Sequence, residues 1–139
     1  MSLSIRNQLP GTITAINSGE VMATVKVRLA GGQELTAAIT LEAVEHLGLT
    51  TGTPVNALVK ATEISLATAP VKGLSIRNQL PGTVTGIATG GAMASVKIAV
   101  ESADLTAAIT RDATDDLALS PGAPVVALVK ATEVALTTV

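Results

Sequence analysis

The chain has 139 residues, 9 Lys and Arg against 11 Asp and Glu, no Cys, Phe, Tyr or Trp, and 47% apolar residues carried by Ala, Val, Leu and Ile. Absent cysteines exclude disulfides, zinc–thiolate sites and thiol chemistry, and fit a reducing compartment such as the cytoplasm. The charge is balanced in both halves and no aromatic ring is available for stacking, which argues against nucleic-acid binding.

The start of the chain shows no basic stretch followed by an apolar core, so no signal peptide is expected. No apolar run reaches the length of a membrane span, so no membrane partner is expected either. The dominant feature is a repeat. Residues 3–12 read LSIRNQLPGT, and residues 74–83 read the same; LTAAIT occupies 35–40 and 105–110, and ALVKATE occupies 57–63 and 127–133. The first offset is 71 and the later two are 70, so the second copy lacks one residue, between AGGQEL and ESADL. Length changes collect in surface turns, which predicts a hairpin there. The chain is one module written twice: 1–69, a linker 70–73, and 74–139. Modules of this size, built without aromatics, form thin cores. They are expected to pack on each other, on other chains, or both.

Residues 3–16 are rich in strand formers and broken by Pro10-Gly11, which predicts a strand, a kink and a second strand half. Asn17-Ser18-Gly19 marks a turn. Residues 21–29 alternate, with Val21, Ala23, Val25, Val27 and Leu29 on one face and Thr24, Lys26 and Arg28 on the other. Residues 30–33 form a hairpin turn and 34–39 the next strand. Thr40 is a good N-cap for a short helix, Glu42 suits its first turn, and Gly48 is a plausible stop. Leu41, Val44 and Leu47 share its apolar face. After a loop at 51–54, residues 55–66 supply the last strand or pair. The second copy repeats this plan, with its helix starting at Thr110 and weakened by Asp115 and Asp116 near the end. Five short strands with one small helix after the third is the order of an OB-like barrel, with an SH3-like barrel as the competing assignment.

Catalytic signals are missing. His46 is the only histidine, and Asp116 stands at its place in the second copy. No HExxH, GxSxG or P-loop pattern occurs, so no enzyme is expected. Met22 and Met93 are read as barrel-packing residues. Anion binding has better support. In a regular strand, Lys60 shares a face with Leu58, Thr62, Ile64 and Leu66, and Lys130 with Leu128, Thr132, Val134 and Leu136. A cation on an apolar face needs a counter-charge, which an external anion would supply; a lysine snorkelling at the strand rim is the alternative. Ser4 with Arg6, and Ser75 with Arg77, lie at period two and suit an oxyanion, or form an ordinary strand edge. Thr40 and Thr110 sit where helices begin, as caps and beside free N–H groups.

SIRNQLPGT, the later AAIT and the final LVKAT resemble the molbindin family, built of Mop domains, in its tandem di-Mop form. The resemblance covers nearly the whole chain, twice over. It implies two OB-like five-stranded small barrels, each with one short helix. It also implies a homotrimer and binding of molybdate or tungstate between modules. By motif, Ser4 and the Arg6 backbone would contact the anion together with Lys60 and the Ala61 backbone. Thr40 and the helix start around Ala43 would come from a neighbouring module. The second set is Ser75, Arg77, Thr110, Ala113, Lys130 and Ala131. Family members often carry Ser where this chain has Ala43, Ala61, Ala113 and Ala131, so those hydroxyl donors are missing. The expected role is cytoplasmic storage or homeostasis of the oxyanion, with the metal arriving inside the anion rather than on side chains. No catalytic cofactor is expected. An oxyanion-responsive regulatory or chaperone module, and a structural oligomer with degenerate sites, are the alternatives. A pocket made of hydroxyls, N–H groups and a lysine offers donors only, and should disfavour a protonated phosphate.

Overall fold

The computed structural model describes residues 3–101 and 103–139. The first repeat contains β1 (Asn7–Ser18), β2 (Met22–Leu29), β3 (Glu34–Thr40), α1 (Leu41–His46), β4 (Pro54–Val59), a 3-10 turn (Ala61–Glu63) and β5 (Ile64–Ala67). The second contains β6 (Asn78–Thr89), β7 (Met93–Val100), β8 (Ala103–Thr110), α2 (Arg111–Asp116), β9 (Pro124–Val129), a 3-10 turn (Ala131–Glu133) and β10 (Ala135–Thr138). The protein is mainly β, with two curled five-stranded sheets matching two OB-like modules.

The sheets do not follow the repeats. One runs β10-β4-β1-β2-β3 and the other β5-β9-β6-β7-β8. Each repeat therefore gives its last strand to the other repeat's sheet, with Ala135 opposite Leu58 and Ile64 opposite Val129. Buried side chains of both sheets join in one core. Leu9, Ile13, Val25 and Leu35 of the first repeat belong to the same cluster as Leu80, Val84, Val96 and Leu105 of the second. The thin aromatic-free cores are thus pooled, as a larger buried fraction favours stability.

Strand β1 runs unbroken through Pro10-Gly11, which differs from the expected kink. Pro10 faces Asn56 of β4, and pairing with β2 begins only at Gly11 opposite Leu29. A Cβ on Gly11 would stand 2.6 Å from Val27 Cγ1 and 2.7 Å from the Arg28 carbonyl oxygen, so glycine is there to let β2 approach. Gly82 is under the same constraint, 2.6 Å from the Ala99 carbonyl oxygen. The irregularity falls later: the register shifts between Ile13 and Ala15, and between Val84 and Gly86, leaving Thr14 and Thr85 as bulges. The missing residue of the second copy lies in the expected hairpin. The Leu29 N–H donates to the Gln33 carbonyl across residues 30–32, whereas Val100 pairs with Ala103 across only two residues. One of those two, Ser102, lies outside the described residues.

Met22 and Met93 are not in the barrel. They are 44% and 47% exposed. The strand alternation explains it: Ala23, Val25, Val27 and Leu29 are buried, so Met22 has the outward parity of Thr24, Lys26 and Arg28. Val21, placed with the inward set, lies in the turn between β1 and β2 and is exposed. In α1, Thr40 caps as expected, its Oγ1 accepting from Ala43 N–H at 3.1 Å. Gly48 follows the helix at φ +62, the left-handed conformation of a C-terminal stop. Of the three apolar residues assigned to its inner face, only Val44 is fully buried.

Candidate functional site

The β1–β4 ladder ends at Asn7 opposite Val59. Beyond that pair the strands part. One continues backwards into Arg6, Ile5 and Ser4; the other continues forwards into Lys60 and Ala61. The β6–β9 ladder ends in the same way at Asn78 opposite Val129, flanked by Arg77, Ser75, Lys130 and Ala131. Antiparallel pairing thus sets each arm beside its own lysine. Ile5 lines a cleft with Lys60 and Ile76 one with Lys130, whereas Arg77 lines a separate cleft with residues 71–74.

The geometry within each group differs from a regular strand. Ser4 and Arg6 precede β1, so they are arm residues rather than members of a strand face, and both are exposed. Lys60 leaves β4 and leads the 3-10 turn, whose Glu63 N–H donates to the Lys60 carbonyl at 3.0 Å. Lys130 leads the equivalent turn, closed by Glu133 N–H at 2.9 Å. The turn breaks the alternation that would put the lysines on an apolar face. Both lysines are exposed, with Leu58, Ile64, Leu128 and Val134 buried beside them.

Strand exchange brings the opposite repeat to each lysine. A cleft of about 120 Å³ is lined by Ile5, Leu58 and Lys60 from the first repeat and by Thr132, Glu133 and Ala135 from the second. Its counterpart, also about 120 Å³, is lined by Ile76, Leu128 and Lys130 with Thr62, Glu63 and Ser65. Each cleft therefore holds a cation, a hydroxyl and a carboxylate. A pocket of donors alone is not what surrounds the lysines.

Thr40 lies elsewhere in the chain. It shares a separate cleft of about 370 Å³ with Glu20, Leu41, Glu42 and Glu45. Ala43 offers its N–H to the Thr40 hydroxyl, and Ala113 offers its own to Thr110 Oγ1, also at 3.1 Å. The structure thus groups the arm with the lysine turn and groups Thr40 with Ala43. It does not bring the two groups into one cleft of a single chain.

Two polar residues escaped the sequence reading. Asn7 is 1% exposed and Asn78 is 3% exposed. Asn7 Nδ2 donates to the Thr106 carbonyl at 2.9 Å, and its Oδ1 accepts from Thr106 N–H at 2.7 Å. Asn78 does the same to Thr36, at 2.8 Å in both directions. Thr132 and Glu133, with Thr62 and Glu63, were missed as cleft residues because their contribution depends on the exchanged strands. The NQ that follows each arginine in both copies was the available signal. Among the described residues, no three of His, Cys, Asp or Glu come together to hold a metal ion, and no helix is long and apolar enough to cross a membrane.

Comparison with known proteins places the chain in a family. The TOBE domain model matches residues 3–66 and again 74–136. The chain is 38% identical over 133 residues to the molybdenum transport protein ModE of Herbaspirillum seropedicae, covering 94% of this chain and 49% of that one. It is 37% identical over 138 residues to the molybdenum-pterin-binding protein MopA of Rhodobacter capsulatus, covering 98% of this chain and 52% of that one. The chain thus spans about half the length of these curated relatives. A solved structure of ModG, described as a cytoplasmic molybdate-binding protein, superimposes with a TM-score of 0.97 at 40% identity, covering 100% of both chains. Two matches of one domain model, each spanning nearly a whole repeat, show that the chain belongs to the TOBE-domain family as a tandem pair of modules.

Proposed function

We propose that the chain binds molybdate or tungstate as an intact tetrahedral anion, in the cytoplasm, for storage or homeostasis and without chemical conversion. The likeness to ModG over the full length of both chains carries this reading. The site residues are Ser4, Arg6, Lys60 and Ala61, with Thr40 and Ala43 supplied by a neighbouring module. The second set is Ser75, Arg77, Lys130 and Ala131, with Thr110 and Ala113. Lysine supplies charge, and arm and turn supply hydroxyl and N–H donors to a dianion, with the Glu133 or Glu63 carboxylate of the same cleft opposing it. The separation of the Thr40 cleft from the Lys60 cleft supports a site shared between copies of the chain, as a homotrimer would provide. Alanine at 61 and 131 leaves only the backbone N–H as a donor there, and the Ala43 and Ala113 N–H groups are engaged by Thr40 and Thr110 Oγ1, so the threonine hydroxyls are the donors on that side.

Calorimetric titration with molybdate tests the reading. Saturable binding is expected, and Lys60→Met with Lys130→Met should weaken it about tenfold or more, the worth of a charge-assisted hydrogen bond. Because bound ligand stabilises the folded state, the melting temperature should rise with molybdate in the wild type and much less in the double variant. A full rise in the double variant would remove the lysines from the site. Light scattering at micromolar concentration tests the trimer, and a 13.9 kDa particle would refute it.

The ModE likeness favours a second reading, in which this pair of modules senses the oxyanion for a regulator. That reading requires a molybdate-dependent change in association with another protein or segment, whereas storage requires only capacity.

A further inference from the structure

We infer that Asn7 and Asn78 are positioning residues for the oxyanion sites, each holding the anion-binding arm of one repeat on an edge strand of the other. The inference rests on the oxyanion reading given above.

A buried amide is costly unless its donor and acceptor are both used. Here both are used, on the N–H and the carbonyl of one residue, at 2.7–2.9 Å. Thr106 lies on β8 and Thr36 on β3, which end their respective sheets. Each carboxamide therefore pairs with an open strand edge as a further strand would. It also satisfies backbone groups that an edge leaves free.

Placement makes this more than edge protection. Asn7 directly follows Arg6, and residues 3–6 belong to no strand. Within the arm, Gln8 Nε2 donates to the Ile5 carbonyl at 3.1 Å, which shapes the arm locally but ties it to nothing distant. Gln79 Nε2 donates likewise to the Ile76 carbonyl at 3.2 Å, and it also pairs with linker residue Val71, donating to its carbonyl at 2.9 Å while Oε1 accepts from its N–H at 3.0 Å. Asn7 supplies the distant tie, and it goes to the strand that also supports the lysine: the 3-10 turn led by Lys60 packs against β8. Arm and lysine turn thus rest on one support, and the Asn7–Thr106 pair sets the spacing between them. The symmetric statement holds for Asn78, β3 and the Lys130 turn.

The test is Asn7→Asp and Asn78→Asp. Aspartate keeps the size and the acceptor but cannot donate to the threonine carbonyl; because it also adds a negative charge, the titration is repeated at high salt, where a loss due to charge alone shrinks and a loss of positioning persists. Molybdate is titrated calorimetrically at a temperature where circular dichroism shows the variants fully folded. Asn7→Asp is expected to weaken about half of the sites by about tenfold, a loss of roughly one charge-assisted hydrogen bond, and to leave the rest unchanged. Asn78→Asp should weaken the other half, and the double variant both. A lower melting temperature with wild-type affinity would make the asparagines scaffold only and overturn the inference. So would equal loss at all sites from either single change. Should the aspartates not fold, Asn7→Ser and Asn78→Ser, which admit water in place of the amide, carry the same test. Failure of those to fold as well would also assign the residues to the fold alone. A wild-type titration without binding removes the oxyanion reading and this inference with it; binding by the wild type with unaltered variants removes this inference alone.

Discussion

Leu136→Ala asks whether the last strand of the chain belongs to the first repeat's sheet. Leu136 is near the C-terminus, yet it sits opposite Ala57 in β4 and packs, partly buried, on the shared core. The substitution removes three carbons. At about 0.8 kcal/mol per fully buried methylene, and with Leu136 about half-buried, the loss is about 1 kcal/mol. That lowers the melting temperature by about 2–5 °C. The more telling effect is local. Strand β10 is an edge strand held by four residue pairs, so weakening it raises local opening before global unfolding. Amide exchange at residues 55–58, the segment of β4 that β10 covers, should quicken about fivefold. Residues 125–129 of β9, which precede Leu136 in its own repeat, should keep their protection. Hydrogen exchange read by mass spectrometry separates the two segments. Faster exchange in β9 with β4 unchanged would refute the strand exchange, and with it the cross-repeat clefts.

Gly11→Ala places a methyl group 2.6 Å from Val27 Cγ1 and 2.7 Å from the Arg28 carbonyl oxygen, so chemical denaturation should show a loss of about 1–3 kcal/mol. Met22→Ser and Met93→Ser lie on exposed positions and should leave the denaturation midpoint within about 0.5 kcal/mol of wild type. Glu133→Gln and Glu63→Gln remove a carboxylate from each lysine cleft. Molybdate affinity should then rise about three- to tenfold at low salt, with the gain shrinking as ionic strength increases; unchanged affinity would mean that the anion does not sense these carboxylates.

The barrel class, the place of the helix and the position of the length change were legible because each rests on local pattern. Alternation in β2, the Thr40 cap and the Gly48 stop are short-range signals that tertiary packing did not override. The Pro10-Gly11 reading failed for a physical reason. Proline in a strand signals a missing donor, but Pro10 sits where pairing to β2 has not yet begun, and Gly11 serves the approach of another strand. The apolar-face placement of the lysines gave way to the rim alternative because a three-residue 3-10 turn resets the parity on which it was argued.

Strand exchange was not legible at all. The sequences around β5 and β10 are nearly equivalent, Ile64-Ser65-Leu66 against Val134-Ala135-Leu136, so either strand satisfies either sheet. What decides is the direction in which the 3-10 turn sends the chain, and composition carries no record of that. The same uncertainty hid Thr132 and Glu133 beside Lys60, since no spacing in the sequence links them.

Duplication then has a mechanical consequence for the site. Each cleft needs a lysine from one repeat and a threonine and glutamate from the other. Between separate modules, such a cleft would form and dissolve with protein concentration. Here β5 ends at Ala67 and β6 begins at Asn78, so a tether of ten residues joins the partners. A flexible tether of that length holds them at an effective concentration on the order of millimolar. The exchange is thereby made intramolecular, and the lysine clefts persist at any dilution that keeps the chain folded. The separate Thr40 and Thr110 groups have no such tether to a lysine cleft. In the proposed oligomer, dilution should therefore act on the association between chains first, and reach the lysine clefts only when the chain itself unfolds.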